Sequence, residues 1–517
     1  MIRRVLIMAG SLILCAAGAY IAGVSPFLGV LFGVALGALA FGIRSEKSVV
    51  FGDARFATRE EIKSCGLISR VGVVIAESGC KPGELLRYDG DRHILVEGPT
   101  RSGKGRGIII PTLLALYESV FVIDIKGENY DITAGKRSEY GSVFRLEPGA
   151  RNSARYNPIQ EIRGGDYELA DIQSLSKVIC DDAFVKDPHW VEAASALMTA
   201  IVFFLRNCAP KSEQSLYGVL MRLAGKGERS LEETISEMME SSFSEQLRAM
   251  LSLFMEKTPN EKSGIQSTLA TKLEVFWDPV LQENTSESDF SLLELVTGER
   301  PVSIFVVVHP GEVSRLKVYL WVLVDQLGRK LTARGVRAER TQRLLLVLDE
   351  FPALGRLHYF DTALSYIAGY GVRAMVICQS LKQLNELYGA SQSISDNCYL
   401  RVFFTPNSIE SAEYISRSLG QHTVSYKTSS GRGPFSRSES DHLVGRPLLS
   451  PEELLCFPKD ELIIFVAGER PIRAKRLLFD KHWMFRAEVR EAPIPRVRAS
   501  WENFYEEDIY FDADELR

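Results

Sequence analysis

Between Val96 and Leu114 the chain reads VEGPTRSGKGRGIIIPTLL: the apolar run HILVE, a glycine-rich loop, then an apolar stretch of helical length. A strand that feeds a helix through such a loop commits its neighbourhood to an α/β sheet, because the loop amides and the helix N-terminus converge on one point that suits an anion. Gly98, Gly103 and Lys104 keep the G-x-x-x-x-G-K spacing of a phosphate loop, whereas Gly105 stands where serine or threonine is expected. Three fixed residues specify little in a chain of 517 residues with 40 glycines. The strand before them and the helix after them make the case.

In this reading the loop Gly98, Pro99, Thr100, Arg101, Ser102, Gly103, Lys104 and Gly105 holds a polyphosphate, glycine allowing close approach and Lys104 neutralising the terminal phosphate oxygens. Gly105 brings no hydroxyl for Mg²⁺, so phosphates, waters and one carboxylate must complete the metal shell. Two acids end apolar strands, Asp124 in VFVID and Asp349 in LLLVLDE. Asp349 is preferred for the metal because Glu350 follows it and can polarise the attacking water. Asp124 becomes an orienting group or a cap for the next helix. Gln379, closing the strand RAMVIC, is placed to sense the nucleotide. Arg373 and Arg401 are the candidates for an arginine finger offered to an adjacent subunit, although either would serve equally as a paired arginine.

Strand signals recur at VGVVIA, HILVEG, SVFVIDIKGE, PVSIFVVV, RLLLVLDE, RAMVICQS, LRVFFTP and LIIFVAG, with helical stretches between most of them, so a mostly parallel sheet covered by helices is expected. The section from Asp166 to Phe290 differs. It has helical periodicity and carries 21 acidic against 11 basic residues, a net of −10 that leaves +5 for the rest of a chain whose total is −5. It reads as an all-α domain inserted into the α/β core. The overall charge excludes a wholesale nucleic-acid binder and confines any DNA contact to local patches. Ser425 to His442 reads as a mobile loop whose Lys427, Arg432 and Arg437 could meet a phosphate backbone. Eight cysteines without CxxC spacing fit a reducing compartment, and no Cys/His metal cluster is evident.

From Val5 to Ile43 no residue is charged, and Ser25-Pro26 interrupts the run. Val5–Val24 and Phe27–Ile43 are each long enough to cross a bilayer core of about 30 Å, and Arg3, Arg4, Arg44 and Lys47 flank the pair. A transmembrane hairpin with the soluble mass in the cytoplasm is expected. A cleaved signal peptide is the competing reading, but it leaves the second apolar span unexplained.

Taken in order, the anchor, GDARFA, GPTRSGKG, DIKGE, RYNPI, DPHW, QENTSESDF, LLLVLDEFPALG, ICQSLKQL and SDNCYLRVFFTPNS make the chain resemble, from its N-terminus to about Asp480, the type IV secretion coupling proteins of the TraG/TraD class of conjugative ATPases. Glycine after the motif lysine also occurs in that family. The resemblance implies an anchor over residues 1–47, a RecA-like P-loop ATPase domain over 48–165 and 291–480, an inserted all-α domain over 166–290 associated with substrate recognition, and a tail over 481–517. It further implies ATP and Mg²⁺ as cofactors, Lys104 as the nucleotide lysine, Asp349 and Glu350 as the Walker B pair and Gln379 as the motif glutamine. The implied protein is a homo-hexamer in the bacterial inner membrane that links single-stranded DNA with its relaxase, or an effector protein, to the components of a secretion channel. Two other functions remain open to the sequence: a nucleotide-binding substrate receptor with little turnover, and a double-stranded DNA translocase.

Overall fold

The structure is a computed structural model that describes residues 50–181, 188–225, 229–242, 244–333, 335–430 and 438–493. The expected membrane spans, 5–24 and 27–43, lie outside the described residues, as does the distal tail from 494. The chain divides into two compact units, Arg55–Leu419 with Leu449–Arg517, and Met1–Ala54 with Gly420–Leu448.

The larger unit is built on an eleven-stranded sheet. Its strands are β1 (Val73–Ser78), β2 (Leu85–Tyr88), β3 (His93–Glu97), β4 (Ser119–Asp124), β5 (Ser142–Leu146), β6 (Val302–Val307), β7 (Leu344–Leu348), β8 (Val372–Cys378), β9 (Cys398–Phe403), β12 (Glu461–Val466) and β13 (Ile472–Lys475). The hairpin strands β10 (Gln421–Ser430) and β11 (Ser438–Pro447) belong to the smaller unit. The spatial order is β2-β1-β13-β12-β9-β3-β8-β7-β4-β6-β5. From β9 to β5 every pairing is parallel, and from β9 to β2 every pairing is antiparallel. Strands β4, β6, β7 and β8 are buried along their whole length, which explains why they read as unbroken apolar runs without alternation.

Helices fill the crossovers. Helix α1 (Gly105–Ala115) follows the glycine loop, beginning as a wide π-type turn over Gly105–Ile109, and α2 (Glu128–Tyr140) follows β4. Between β5 and β6 the chain is helical: α3 (Glu168–Cys180), α4 (Pro188–Cys208), α5 (Leu216–Leu223), α6 (Leu231–Ser241), α7 (Glu245–Met255) and α8 (Pro259–Leu273), with shorter turns to Thr297. This is the acidic section of the sequence. Helices α5 to α8 start where serine or threonine accepts an amide three residues on, and at Ser230 and Thr258 Glu233 and Glu261 complete capping boxes. The section forms one compact unit with the sheet. Its tie is aromatic: Tyr156 stacks on Phe290 at 5.6 Å and meets Tyr319 of α9 (Val313–Leu331) edge-on, while its hydroxyl donates to Gln326 at 2.7 Å.

Among the described residues one helix, His189–Cys208, is long and apolar enough to cross a membrane. Half of it is buried by α3, α7, α8 and their neighbours, and we read it as a core helix. The smaller unit corrects one expectation. In the stretch expected as a loop, Ser425 to His442, the described residues are strand: β10 (Gln421–Ser430) and β11 (Ser438–Pro447) pair antiparallel over ten residues, and Asp53 bridges to His422 on β10, while 431–437, with Arg432 and Arg437, lie outside the described residues. The Ser/Gly-rich composition hid an alternation in which Val424 faces Val444 and Tyr426 faces His442.

The tail boundary also moves. Trp483–Glu488 is helical, and Phe485 is buried with Ile110, Leu114 and Leu477.

Arg137 of α2 is fully buried, and its guanidinium donates to the carbonyls of Leu116 and Glu118 and to the Ser303 hydroxyl at 2.8 Å, tying α2 to the turn between α1 and β4 and to β6. Arg137→Met removes three donors from groups that water does not reach. We expect a loss of about 3 kcal/mol, read as a lower denaturation midpoint, because unsatisfied buried acceptors cost about 1–3 kcal/mol each.

Candidate nucleotide site

The parallel register aligns the ends of four strands. Glu97 of β3 lies level with Cys378 of β8, Leu348 of β7 with Val376, and Ile123 of β4 with Leu348. The residues next in line are Gly98, Gln379, Asp349 and Asp124, so side chains far apart in sequence meet beyond one edge of the sheet. That is where open α/β sheets bind ligands.

The glycine loop folds back on itself, the Ser102 amide donating to Pro99 O at 3.1 Å. Gly103 has φ 100°, a conformation that side chains other than glycine rarely adopt, and Arg101 has φ 63°. Lys104 is buried with 7% of its surface exposed, and its ammonium donates to the carbonyls of Gly98 and, at 3.2 Å, Pro99. Burial pulls its pKa down, and Glu350 and Asp349 oppose that shift.

Asp349 lies half-buried beyond β7. Desolvation of its carboxyl, with Glu350 and Asp124 nearby, pushes its pKa up to about 6. Glu350 is strained, at φ 53° and ψ 47° in the left-handed region, and its carboxylate accepts from Gln379 Nε2 at 3.0 Å. The Gln379 amide oxygen accepts in turn from the Thr100 hydroxyl at 3.1 Å. Loop, glutamine and glutamate therefore form one chain of hydrogen bonds.

Asp124 is committed elsewhere. Its two oxygens accept from the amides of Gly127 and Tyr130 at 3.1 and 2.9 Å and from Asn129 Nδ2 at 3.1 Å, and the same Asn129 amide reaches Asp349 at 3.5 Å. Asp124 thus takes the orienting and capping place rather than facing a nucleotide: it shapes the turn into α2 and orients Asn129.

Arg373 also needs correction. It sits at the start of β8, away from the aligned ends, 1% exposed, donating to Glu118 and, at 2.9 Å, to Gly90 O, so it cannot serve as a finger. Arg401 lies mid-strand on β9, donating to the Tyr414 hydroxyl at 2.6 Å with its guanidinium over Phe465. The structure does not bring it to the site.

Gly105 leaves open space, since a Cβ there would meet no atom within 4 Å. Among the described residues no group of three or more His, Cys, Asp or Glu side chains could hold a metal. A cation here would depend on Asp349, phosphate oxygens and water.

Sequence reasoning missed two residues. Arg476 donates to Ser102 O at 2.8 Å from the C-terminal side of the sheet, with no motif to mark it. Glu97, immediately before the loop, is buried at 4% exposure; Ser411 and the Leu381 backbone bond it, while Oε2 has no partner. An acid closing the apolar run HILVE was its only signal.

Fold and site together define an α/β nucleotide-binding protein of the P-loop class. The profile of the family described as "Type IV secretory system Conjugative DNA transfer" matches residues 55–499, and the chain belongs to that family. It is 32% identical over 505 residues to a conjugal transfer protein TraG of Escherichia coli, covering 86% of this chain and 79% of the relative. To a protein VirD4 of Rhizobium radiobacter it is 27% identical over 461 residues, covering 85% and 65%. Its fold is similar to the solved structures of the bacterial conjugative coupling protein TrwBdeltaN70 in unbound form (TM-score 0.62, 18% identity, 88% of this chain and 100% of that one) and of plasmid coupling protein TrwB in complex with ADP and Mg²⁺ (TM-score 0.60, 18% identity, 83% and 97%).

Burial pushes the Glu97 pKa up to about 7 from the usual 4.5. The folded state thus binds more protons than the unfolded chain between about pH 4.5 and 7, and stability falls as pH rises through that window, then levels off. Glu97→Gln should flatten this slope, read as thermal midpoints at pH 5 and pH 8 that differ less than in the parent protein.

Proposed function

We propose that this chain is an ATP-hydrolysing coupling protein, anchored in the bacterial inner membrane by residues 1–47 and working as a RecA-like homo-hexamer. It recruits single-stranded DNA with its relaxase, or an effector protein, and drives the substrate to a type IV secretion channel. The observation that carries the reading is the meeting of Lys104, Asp349, Glu350 and Gln379 at one edge of a parallel sheet, in a chain of the conjugative DNA-transfer family.

The residues divide the chemistry among them. Lys104 exchanges its two loop carbonyls for phosphate oxygens, a stronger charge-assisted pairing. Asp349 with the phosphates and water would hold Mg²⁺, which supplies charge neutralisation at the transferred phosphoryl group. Glu350 is positioned to accept the proton of the attacking water, held by Gln379. Because Gln379 also bonds Thr100, the loop and the base are aligned together. The acidic helical section, 166–290, is assigned to substrate recognition. Its charge suits a protein passenger better than bare DNA.

Gly105, lacking the metal-binding hydroxyl, favours the second reading, a receptor that binds nucleotide with little turnover. Steady-state ATP hydrolysis by the detergent-solubilised full-length protein separates the two. We expect stimulation by single-stranded DNA and a loss of at least about a hundredfold in Lys104→Ala and Glu350→Gln. Nucleotide binding that is lost in Lys104→Ala, with no turnover above the Glu350→Gln background, would establish the receptor instead. Stimulation by duplex DNA alone would point to a double-stranded translocase.

The open space at Gly105 adds an independent check. Gly105→Ser should fold normally and reach half-maximal activity at a lower Mg²⁺ concentration, because its hydroxyl can join the metal shell.

A further inference from the structure

After β13 the chain does not leave the sheet. Residues 476–493 run as a strap across the two helices whose N-termini frame the site. Arg476 donates to Ser102 O, the Phe479 amide donates to Arg106 O at 3.0 Å, and Asp480 pairs with the Arg106 guanidinium. Leu477 O approaches so closely that a Cβ on Gly107 would lie 2.7 Å from it. Further on, the strap meets α2: Glu488 pairs with Lys136 at 2.8 Å, and Tyr130 donates to Pro493 O at 3.2 Å.

Within this strap Arg476 reaches the phosphate loop itself. Its stem passes Gly103, where Cδ lies 3.3 Å from the position a Cβ would take, and its Nε is buried without a hydrogen-bond partner. A guanidinium presents five donors in a rigid fork. Here one arm fixes a loop carbonyl and the charge stays beside the loop. Turning the Ser102 carbonyl towards Arg476 points the Gly103 amide of the same trans peptide the opposite way, as an anion held by that amide requires.

We propose that Arg476 is a positioning residue for the nucleotide phosphates, supplied in cis by the C-terminal strap. It holds the Gly98–Gly105 loop in its anion-binding shape and adds a second positive charge to that of Lys104. This rests on the nucleotide-binding reading of the loop. It extends that reading to a segment outside every phosphate-loop motif.

The test uses the full-length protein in detergent, with a non-hydrolysable ATP analogue and Mg²⁺ as the probe, beside ATP turnover and the thermal midpoint without nucleotide. Arg476→Ala should weaken analogue binding about tenfold and raise KM by a similar factor, with kcat changed less than about threefold. Arg476→Lys keeps the charge and the stem but loses the fork, and should recover part of the affinity, to within about threefold of the parent. Should Arg476→Ala fail to fold, Arg476→Lys decides the matter. Parent-like binding in every folded variant overturns the proposal. So does a fall in kcat with unchanged KM that tracks a lowered midpoint, because that pattern marks general destabilisation. Failure of the parent protein to bind the analogue removes the nucleotide reading itself, and is seen before any variant is compared.

Discussion

The site depends on the parallel pairing of β3, β8, β7 and β4. Because neighbouring parallel strands advance in the same direction, their C-terminal ends release four different loops at one edge, and the register decides which residues meet there. A slip of one residue between β7 and β8 would turn each side chain to the other face. The contact between Glu350 and Gln379 would go with it. The fully buried apolar sides of these strands hold the register, so the interior packing sets the geometry of charged groups that lie outside it.

Those charges are arranged in mutual tension. Lys104 is pulled towards neutrality by burial and kept charged by the two acids, while Asp349 is pushed towards protonation by its own burial and by Glu350 and Asp124. Without ligand, Lys104 satisfies itself on loop carbonyls. In the proposed function a polyphosphate would offer it a better partner and would let Asp349 share a cation, so ligand binding would relieve a cost already present in the fold. The two non-glycine residues with positive φ among those described, Arg101 and Glu350, both lie at this site. Such strain persists where surrounding structure over-determines it.

Around this centre the elements are tied by buried polar contacts as well as apolar packing. Arg137 joins α2 to the turn before β4 and to β6 through three acceptors, Arg373 and Glu118 pair at the sheet edge away from the site, and Asp124 shapes the turn into α2. Each is polar and close to fully buried, and apart from the Arg373 Nε each is paired. In low-dielectric surroundings such satisfied groups restrict the packing to one arrangement.

The sequence by itself determined what local pattern encodes. Unbroken apolar runs announced buried parallel strands, the spacing from Gly98 to Lys104 marked a glycine loop between a strand and a helix, and Asp349, Glu350 and Gln379 stood out because they follow the ends of such runs. Pattern was silent wherever tertiary burial sets the role. Arg373 and Arg476 look alike in sequence, yet one is sealed against Glu118 and the other lies against the phosphate loop, because β8 begins at the far edge of the sheet while the chain after β13 returns to α1. Asp124 and Asp349 both close apolar strands, and only the turn after each decided that Asp124 is held by the amides of Gly127 and Tyr130 while Asp349 meets the Asn129 amide at 3.5 Å. The hairpin over Gln421–Pro447 passed for a loop because its cross-strand partners are remote in sequence. Periodicity reports which face of an element is covered, but which charge meets which depends on the path of the chain between elements, and that path exists only once the sheet has closed.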